Sequence, residues 1–402
     1  MPMRVVHPIA RAWLSTGGTG ARNYDEFADD AEITEIIEAN PRSALAVEMP
    51  HRAPESLGAS FTAALPAAVN RLAEAKAAGA YAPAERVVVL YRISGDPPAY
   101  GMFAMVDTDQ ISTRADEPGL VIRNEEVFLD KVRERVALAE ATGHLLSPVL
   151  LLQTGSGGDG GGALHTALVA ACEAAGPPAV RDIDHAGRTH EIWPLPPGPT
   201  ADGLCALASA GELVVADGNH RSLAAQTGGL PRFLAVVTTP QSVTIQPYHR
   251  LITEVPCAPE KLGERCERAG VRAEGVPGVP ELPPPPGVAY LYTRRGFIRA
   301  ALPTEPGAPL VENLDHALVE KLLVRQAFGL DPGDKRVVYV GGDYPVSWLC
   351  AEVDAGRAEV ALLIAPVSTE DFVAVNLARQ KMPRKSTWFT PKARAGLVLA
   401  EV

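Results

Sequence analysis

The chain reads as an α/β protein of mixed α+β type, and three observations lead there. Short apolar, β-branched runs alternate with segments whose apolar residues recur at helical spacing. At 402 residues it is long enough for two or three packed domains. Its 36 glycines and 36 prolines gather at segment ends, which marks many loops rather than a disordered chain.

The elements follow in order. Residues 26–39 have helical spacing and stop at Asn40-Pro41. Ser60–Ala78 is an alanine-rich helix closed by Gly79. Arg86–Ile93 and Ala99–Val106 are expected to pair around Gly95-Asp96-Pro97-Pro98. Glu125–Thr142 is a third helix, closed by Gly143, and Val149–Leu152 a short buried strand. The glycine-rich run Thr154–Gly162 lacks the Gly-Lys-Ser/Thr ending of a phosphate loop and reads as a flexible connection. Val180–Ile183 and Thr189–Trp193 form a hairpin about His185-Ala186-Gly187-Arg188, and the spacing of His185 and His190 does not suggest metal ligation. Phe233–Val237 is a strand, followed by an extended stretch ending at Pro247-Tyr248-His249-Arg250. Val276–Gly287, with Pro283-Pro284-Pro285-Pro286, is the expected linker. It divides a core at 1–275 from a smaller C-terminal α/β domain at 288–402. That domain opens with a hairpin (Val288–Tyr292, Phe297–Ala301) and a helix from Leu314 to about Phe328.

Net charge is −11 and the pI about 5.4. An acidic surface repels a phosphate backbone, which argues against nucleic acid as a partner. No apolar run has the length of a membrane span. The N-terminus lacks the apolar stretch of a secretory signal. The five scattered cysteines contain no Cys-x-x-Cys pair, so reduced thiols in a cytoplasm are expected.

The chemistry-bearing segment is Glu212–Gly229. Leu213-Val-Val-Ala216 has the composition of a central strand, and Asp217 stands at its carboxyl end. Gly218-Asn219-His220-Arg221 then leads into a short helix over Ser222–Gln226. Ligands of open α/β sheets gather at the carboxyl ends of strands. The first helical turn offers unpaired N–H groups and the positive end of a dipole to an anion. Gly218 permits close backbone approach, while His220 and Arg221 supply donors for phosphate oxygens. Asp217 is a candidate metal ligand or proton acceptor. The same residues also suit a plain strand end, with Asp217 capping the helix and Arg221 in a salt bridge. A second clue is the helix Glu125–Thr142, where Phe128, Val132, Val136 and Ala139 share a face with Arg135 at its middle and Glu125 at its edge. A buried arginine needs a partner, so Glu125 and Arg135 either form a structural bridge or line a site.

On these residues the chain resembles, nearly end to end, the family catalogued as domain of unknown function 1015. The family's Asp-Gly-His-His-Arg stands as Asp217-Gly218-Asn219-His220-Arg221, and its Pro-Tyr-His-Arg as Pro247–Arg250. Its C-terminal Met-Pro-x-Lys-Ser-Thr-x-Phe-x-Pro-Lys stands as Met382–Lys392. Pro-Tyr-Asp is reduced to Tyr24-Asp25 after Asn23, and Arg-x-His-Glu to Arg123-Asn124-Glu125-Glu126. The turn is also similar to that of ParB/sulfiredoxin-like proteins, including the free serine kinases. That resemblance implies a ParB/sulfiredoxin-like nucleotide-binding core. Gly218, Asn219, His220 and Arg221 would hold the phosphates of ATP or ADP, and Asp217 would help bind Mg²⁺. Glu125 or Asp217 would be the general base, with His220 beside them. Arg135, His249 and Arg250 would hold the substrate. The implied activity is transfer of a phosphoryl group to the hydroxyl of a small amino acid such as serine, by a protein that can form homo-oligomers. A nucleotide-responsive regulatory protein without turnover, or a hydrolase of a phosphorylated metabolite, would use the same grip. Arg384, Lys385 and Lys392 form a local basic cluster, either a solvated loop or a tail that closes over nucleotide. Sulfiredoxin chemistry is excluded, because Asn219 occupies the place of its cysteine.

Overall fold

Strand pairing organises the chain into two units, each with its own sheet. The computed structural model describes residues 4–27, 29–112, 114, 117, 119–123, 125, 127, 129–155, 160–256 and 261–402. The first unit comprises residues 1–244 and 391–402, the second residues 245–390. Both mix helices with largely antiparallel sheet, the mixed α/β class that the alternating patterns predict.

The first unit carries a 13-stranded sheet. Tyr81–Ile93 and Ala99–Asp107 pair antiparallel about the expected turn, whose Asp96–Pro97 bond is cis. Arg232–Thr238 continues the sheet, antiparallel to Ala99–Asp107 and parallel to Val149–Gln153. Leu213–Asp217 lies beyond, antiparallel to Val149–Gln153 and parallel to Val121–Ile122. Leu151, Val215, Phe233 and Ala235 are almost wholly enclosed, which explains why these strands read as unbroken apolar runs. At the opposite side Ile9–Ser15 pairs with both Tyr81–Ile93 and Val398–Glu401. Helix Phe61–Ala77 starts at Ser60, whose hydroxyl accepts from the Ala63 N–H at 3.2 Å, one of the amides that the first turn leaves open.

The second unit is a six-stranded antiparallel sheet, in the order Arg272–Val276, Gly296–Ala301, Val288–Thr293, Val360–Ile364, Tyr248–Ile252, Val337–Gly341. Its helix Asp315–Leu318 runs on into a π-helical stretch, Val319–Ala327.

The domain boundary expected at 276–287 therefore needs correction. That proline-rich segment joins two strands of one sheet, Arg272–Val276 and Val288–Thr293, both paired with Gly296–Ala301. Proline cannot donate to a ladder, so the segment must loop, but looping does not separate domains. The first unit closes before Ile245, and its last strand comes from the far end of the chain. Among the described residues no helix is long and apolar enough to cross a membrane. Cys172, Cys205, Cys266 and Cys350 are free thiols. Cys257, residues 156–159 of the glycine-rich run, and Asn124, Glu126 and Phe128 of the second clue lie outside the described residues.

Candidate functional site

The strand Leu213–Asp217 ends in an irregularity. Val215 opposes Leu151 and Asp217 opposes Leu150, so Ala216 is the extra residue of a bulge that re-aims Asp217. Gly218 follows in the left-handed region with φ 94°, and helix Asn219–Thr227 begins directly after it. Glycine is required here twice over. The conformation is costly for other residues, and a Cβ would stand 3.0 Å from Arg221 Nε and 3.2 Å from Val149 Cα.

Asp217 is held by two cations. Arg221 Nη2 donates to its Oδ2 at 2.5 Å, and Lys392 Nζ to its Oδ1 at 2.7 Å. Arg221 Nη1 donates also to Asn23 Oδ1 at 2.8 Å and to the Pro148 carbonyl. Asn23 in turn donates to Glu26 Oε1 from its backbone N–H at 3.0 Å. Burial would push the Asp217 carboxyl up, but Lys392 and Arg221 together hold it below the usual carboxylate range. Burial lowers the Lys392 ammonium, and the charges of Asp217 and Glu26 more than reverse this, leaving it raised. Glu26 is pushed up by burial, with Lys392 opposing.

A second charged group lies in the same unit. Arg135, on helix Leu129–Thr142, is 6% exposed. Its guanidinium lies 4.1 Å from the ring centre of Tyr24 and 5.0 Å from that of Phe61, an enclosure favourable to a cation. Nη2 points to Met49 Sδ at 3.8 Å, and Nε and Nη1 have no hydrogen-bond partner among the described residues. Glu48 is 2% exposed; its Oε1 accepts from Ser147 Oγ, and its Oε2 has no partner among the described residues. Burial pushes the Glu48 carboxyl above its ordinary value, while Arg135 and the Ser147 hydroxyl pull the other way. Glu48, Arg135, Ser147 and Arg221 all line one cavity of about 220 Å³ between helices Leu129–Thr142 and Asn219–Thr227.

With this geometry in place, the chain can be set beside known proteins. The family described as protein of unknown function (DUF1015) matches residues 18–317. The chain belongs to this family. No curated protein matches it. Three solved structures show distant likeness to this DUF1015 member. A free serine kinase in complex with AMP is 12% identical, covering 72% of this chain and 87% of its own, at a TM-score of 0.40. SbnI from Staphylococcus aureus, with a C-terminal truncation, is 14% identical over 73% and 87%, at 0.39. A conserved hypothetical protein from Pyrococcus furiosus is 13% identical over 73% and 95%, at 0.39.

The sequence-derived site residues of this family member separate into two groups. Asp217, Gly218, Asn219, His220 and Arg221 stand together at the turn, and Arg135 lines the same cavity as Arg221. The salt bridge between Arg221 and Asp217, which the sequence offered as the plainer alternative, is present. Asp217 does not fit the expected metal role. Each of its oxygens faces a cation, and among the described residues no group of three His, Cys, Asp or Glu could hold an ion. Glu125 requires correction: the helix starts at Leu129, so the shared-face spacing that linked it to Arg135 does not exist. His249 and Arg250 belong to the second unit, where both have hydrogen-bond partners within it. Arg250 is wholly enclosed, donating to the Tyr248 carbonyl at 2.8 Å and Glu320 Oε1 at 3.1 Å, while His249 Nδ1 accepts from the Ile364 N–H at 3.2 Å. Sequence reasoning missed Glu48 and Asn23's contact with Arg221, and it placed Lys392 in a basic cluster rather than on Asp217.

Proposed function

We propose that the protein is a nucleotide-dependent phosphotransferase, moving the terminal phosphoryl group of ATP or ADP to the hydroxyl of a small amino or hydroxy acid. One observation carries this reading: two cations, Arg221 and Lys392, converge on a single carboxylate at the first turn of helix Asn219–Thr227. Helix N–H groups, a glycine that lets the chain approach, and paired cations are what a phosphate tail needs. Asp217 offsets one of those two positive charges, so the group keeps a net positive charge for a phosphate to meet.

Phosphoryl transfer asks chiefly for positioning and charge neutralisation. Lys392 is the more mobile donor, since its ammonium is a point charge on a flexible stem. Arg221, anchored on Asn23 and the Pro148 carbonyl, orients the phosphate rather than moving to it. Glu48 replaces Glu125 as the base, because burial raises its carboxyl and its Oε2 has no partner among the described residues, both of which suit proton uptake. The acceptor oxygen bonds to phosphorus as the bond to the nucleotide's bridging oxygen breaks. The hydroxyl proton passes to Glu48, and the nucleotide leaves one phosphate shorter. Mg²⁺ supplies charge neutralisation in such reactions, but Asp217 as held here is not its ligand and no step above depends on it.

The test is incubation of the purified protein with ATP or ADP, Mg²⁺ and a pool of hydroxylated amino and hydroxy acids, followed by mass analysis. A new species heavier by one phosphoryl group, lost in Glu48→Gln, supports the reading. Nucleotide binding with no phosphorylated product would overturn it in favour of a regulatory binding protein.

A further inference from the structure

The cavity between helices Leu129–Thr142 and Asn219–Thr227 has a composition that the proposed phosphotransfer does not require. Its walls are apolar, formed among others by Val136, Leu138, Leu146, Ala225, Phe233 and Leu234. Its polar groups are few: Glu48, Arg135, Ser147 and Arg221, all buried, and the half-buried His144. Glu140 and the half-exposed Val402 mark the solvent side. At about 220 Å³ it falls below the roughly 300–1,000 Å³ of pockets for drug-sized ligands. The occupant is therefore small.

The buried groups also specify the charge of that occupant. Arg221 already has Asp217 as its counterion. Arg135 is less closely held: its nearest ion pair, with Glu134, is 4.0 Å, Glu48 feels its charge without a hydrogen bond to it, and two of its nitrogens donate to nothing among the described residues. A buried guanidinium with spare donors is a costly arrangement unless an acceptor arrives, and its planar fork matches a carboxylate. Serine would satisfy such a head but leave the apolar walls facing water or empty space.

We infer that this cavity binds a small carboxylic acid with an apolar body, its carboxylate on Arg135 and its aliphatic or aromatic part against the walls. This deepens the proposed function by naming the acceptor as an apolar-bodied hydroxy acid, and rests on that reading only for the transfer step. Binding of the acid stands or falls without nucleotide.

The test is calorimetric titration of the full chain, with no nucleotide present, using isocaproate, its neutral amide and acetate. Isocaproate is expected to bind, and the amide to bind about tenfold or more weakly, because it leaves the buried cation unpaired. Acetate loses the apolar body and is expected to be weaker by about fourfold per missing methylene. Ala139→Leu, on a half-buried helix position lining the cavity, should abolish isocaproate binding by filling the space. Arg135→Met should make acid and amide bind alike. Equal affinity for acid and amide in the natural chain, or no isocaproate binding at all, would overturn the inference. So would unchanged isocaproate binding in Ala139→Leu. Each of these readouts is separate from the nucleotide assay, so either can fail alone.

Discussion

His220-Arg221 and His249-Arg250 are the same dipeptide, both buried, one in the first turn of helix Asn219–Thr227 and the other inside strand Tyr248–Ile252, and the structure partners them differently. Arg250 is sealed in the second unit. It pairs with Glu320, donates to its own strand's carbonyls and lies 4.2 Å from the ring centre of Tyr339. Arg221 shares its carboxylate with a second cation, Lys392, and lines a cavity with Arg135 and Glu48. The difference teaches that burial and pairing alone do not separate an arginine sealed in a sheet from one that lines a cavity. What separates them is the second cation: Arg250 faces Glu320, whereas Lys392 joins Arg221 on Asp217.

The largest effect that could break this contrast concerns Arg250. Replacing it with Met leaves Glu320 buried without its cation, and removing one member of a buried pair costs about 3–5 kcal/mol. Denaturant unfolding should show that loss, while nucleotide affinity of the folded protein stays unchanged. A loss of nucleotide affinity would return Arg250 to the site.

Acid comes next. Burial pushes the imidazole of His249 down to about 4 and that of His316 down to about 3, with Arg250's charge adding to both. A depressed group contributes stability above its unfolded pKa, near 6.5, and loses it as pH falls toward the folded value. Between pH 6.5 and 5 each histidine should cost on the order of 2 kcal/mol. His316 has no hydrogen-bond partner on either ring nitrogen among the described residues, so His316→Leu should flatten the acid slope. An unchanged slope in stability-against-pH curves would show that His316 does not titrate as described.

The smallest effect belongs to the turn. Gly218→Ala forces a side chain into the left-handed region and against Arg221 and Val149, at about 1–3 kcal/mol. It should weaken nucleotide binding beyond that loss, since it crowds the guanidinium. Thermal melts with and without nucleotide would show whether the two effects separate.

Much of the fold was legible in the sequence because it is local. The hairpins at 86–106 and 288–301, the helix capped by Ser60, and the strand before Asp217 each follow from periodicity and turn residues. The domain division was not, since nothing in Val398–Glu401 announces that it pairs with Ile9–Ser15. Within the site, Asp217, Gly218 and Arg221 were legible as a strand–glycine–helix turn. Glu48 was not, because it sits at the end of a four-residue helix, too short to show a pattern. Lys392 reaches Asp217 across 175 residues, a contact that spacing cannot reveal. Glu125 misled for the reverse reason: helical spacing was extended past the point where the helix begins.

The central claim is that Arg221 and Lys392 hold a nucleotide's phosphates. Calorimetric titration of ADP and ATP into the natural chain and Lys392→Met tests it most directly, because loss of Lys392 leaves Arg221 to keep Asp217 paired. The account predicts binding to the natural chain and affinity about tenfold or more lower in the variant. Equal affinity in the two proteins, or no binding to the natural chain, would contradict it.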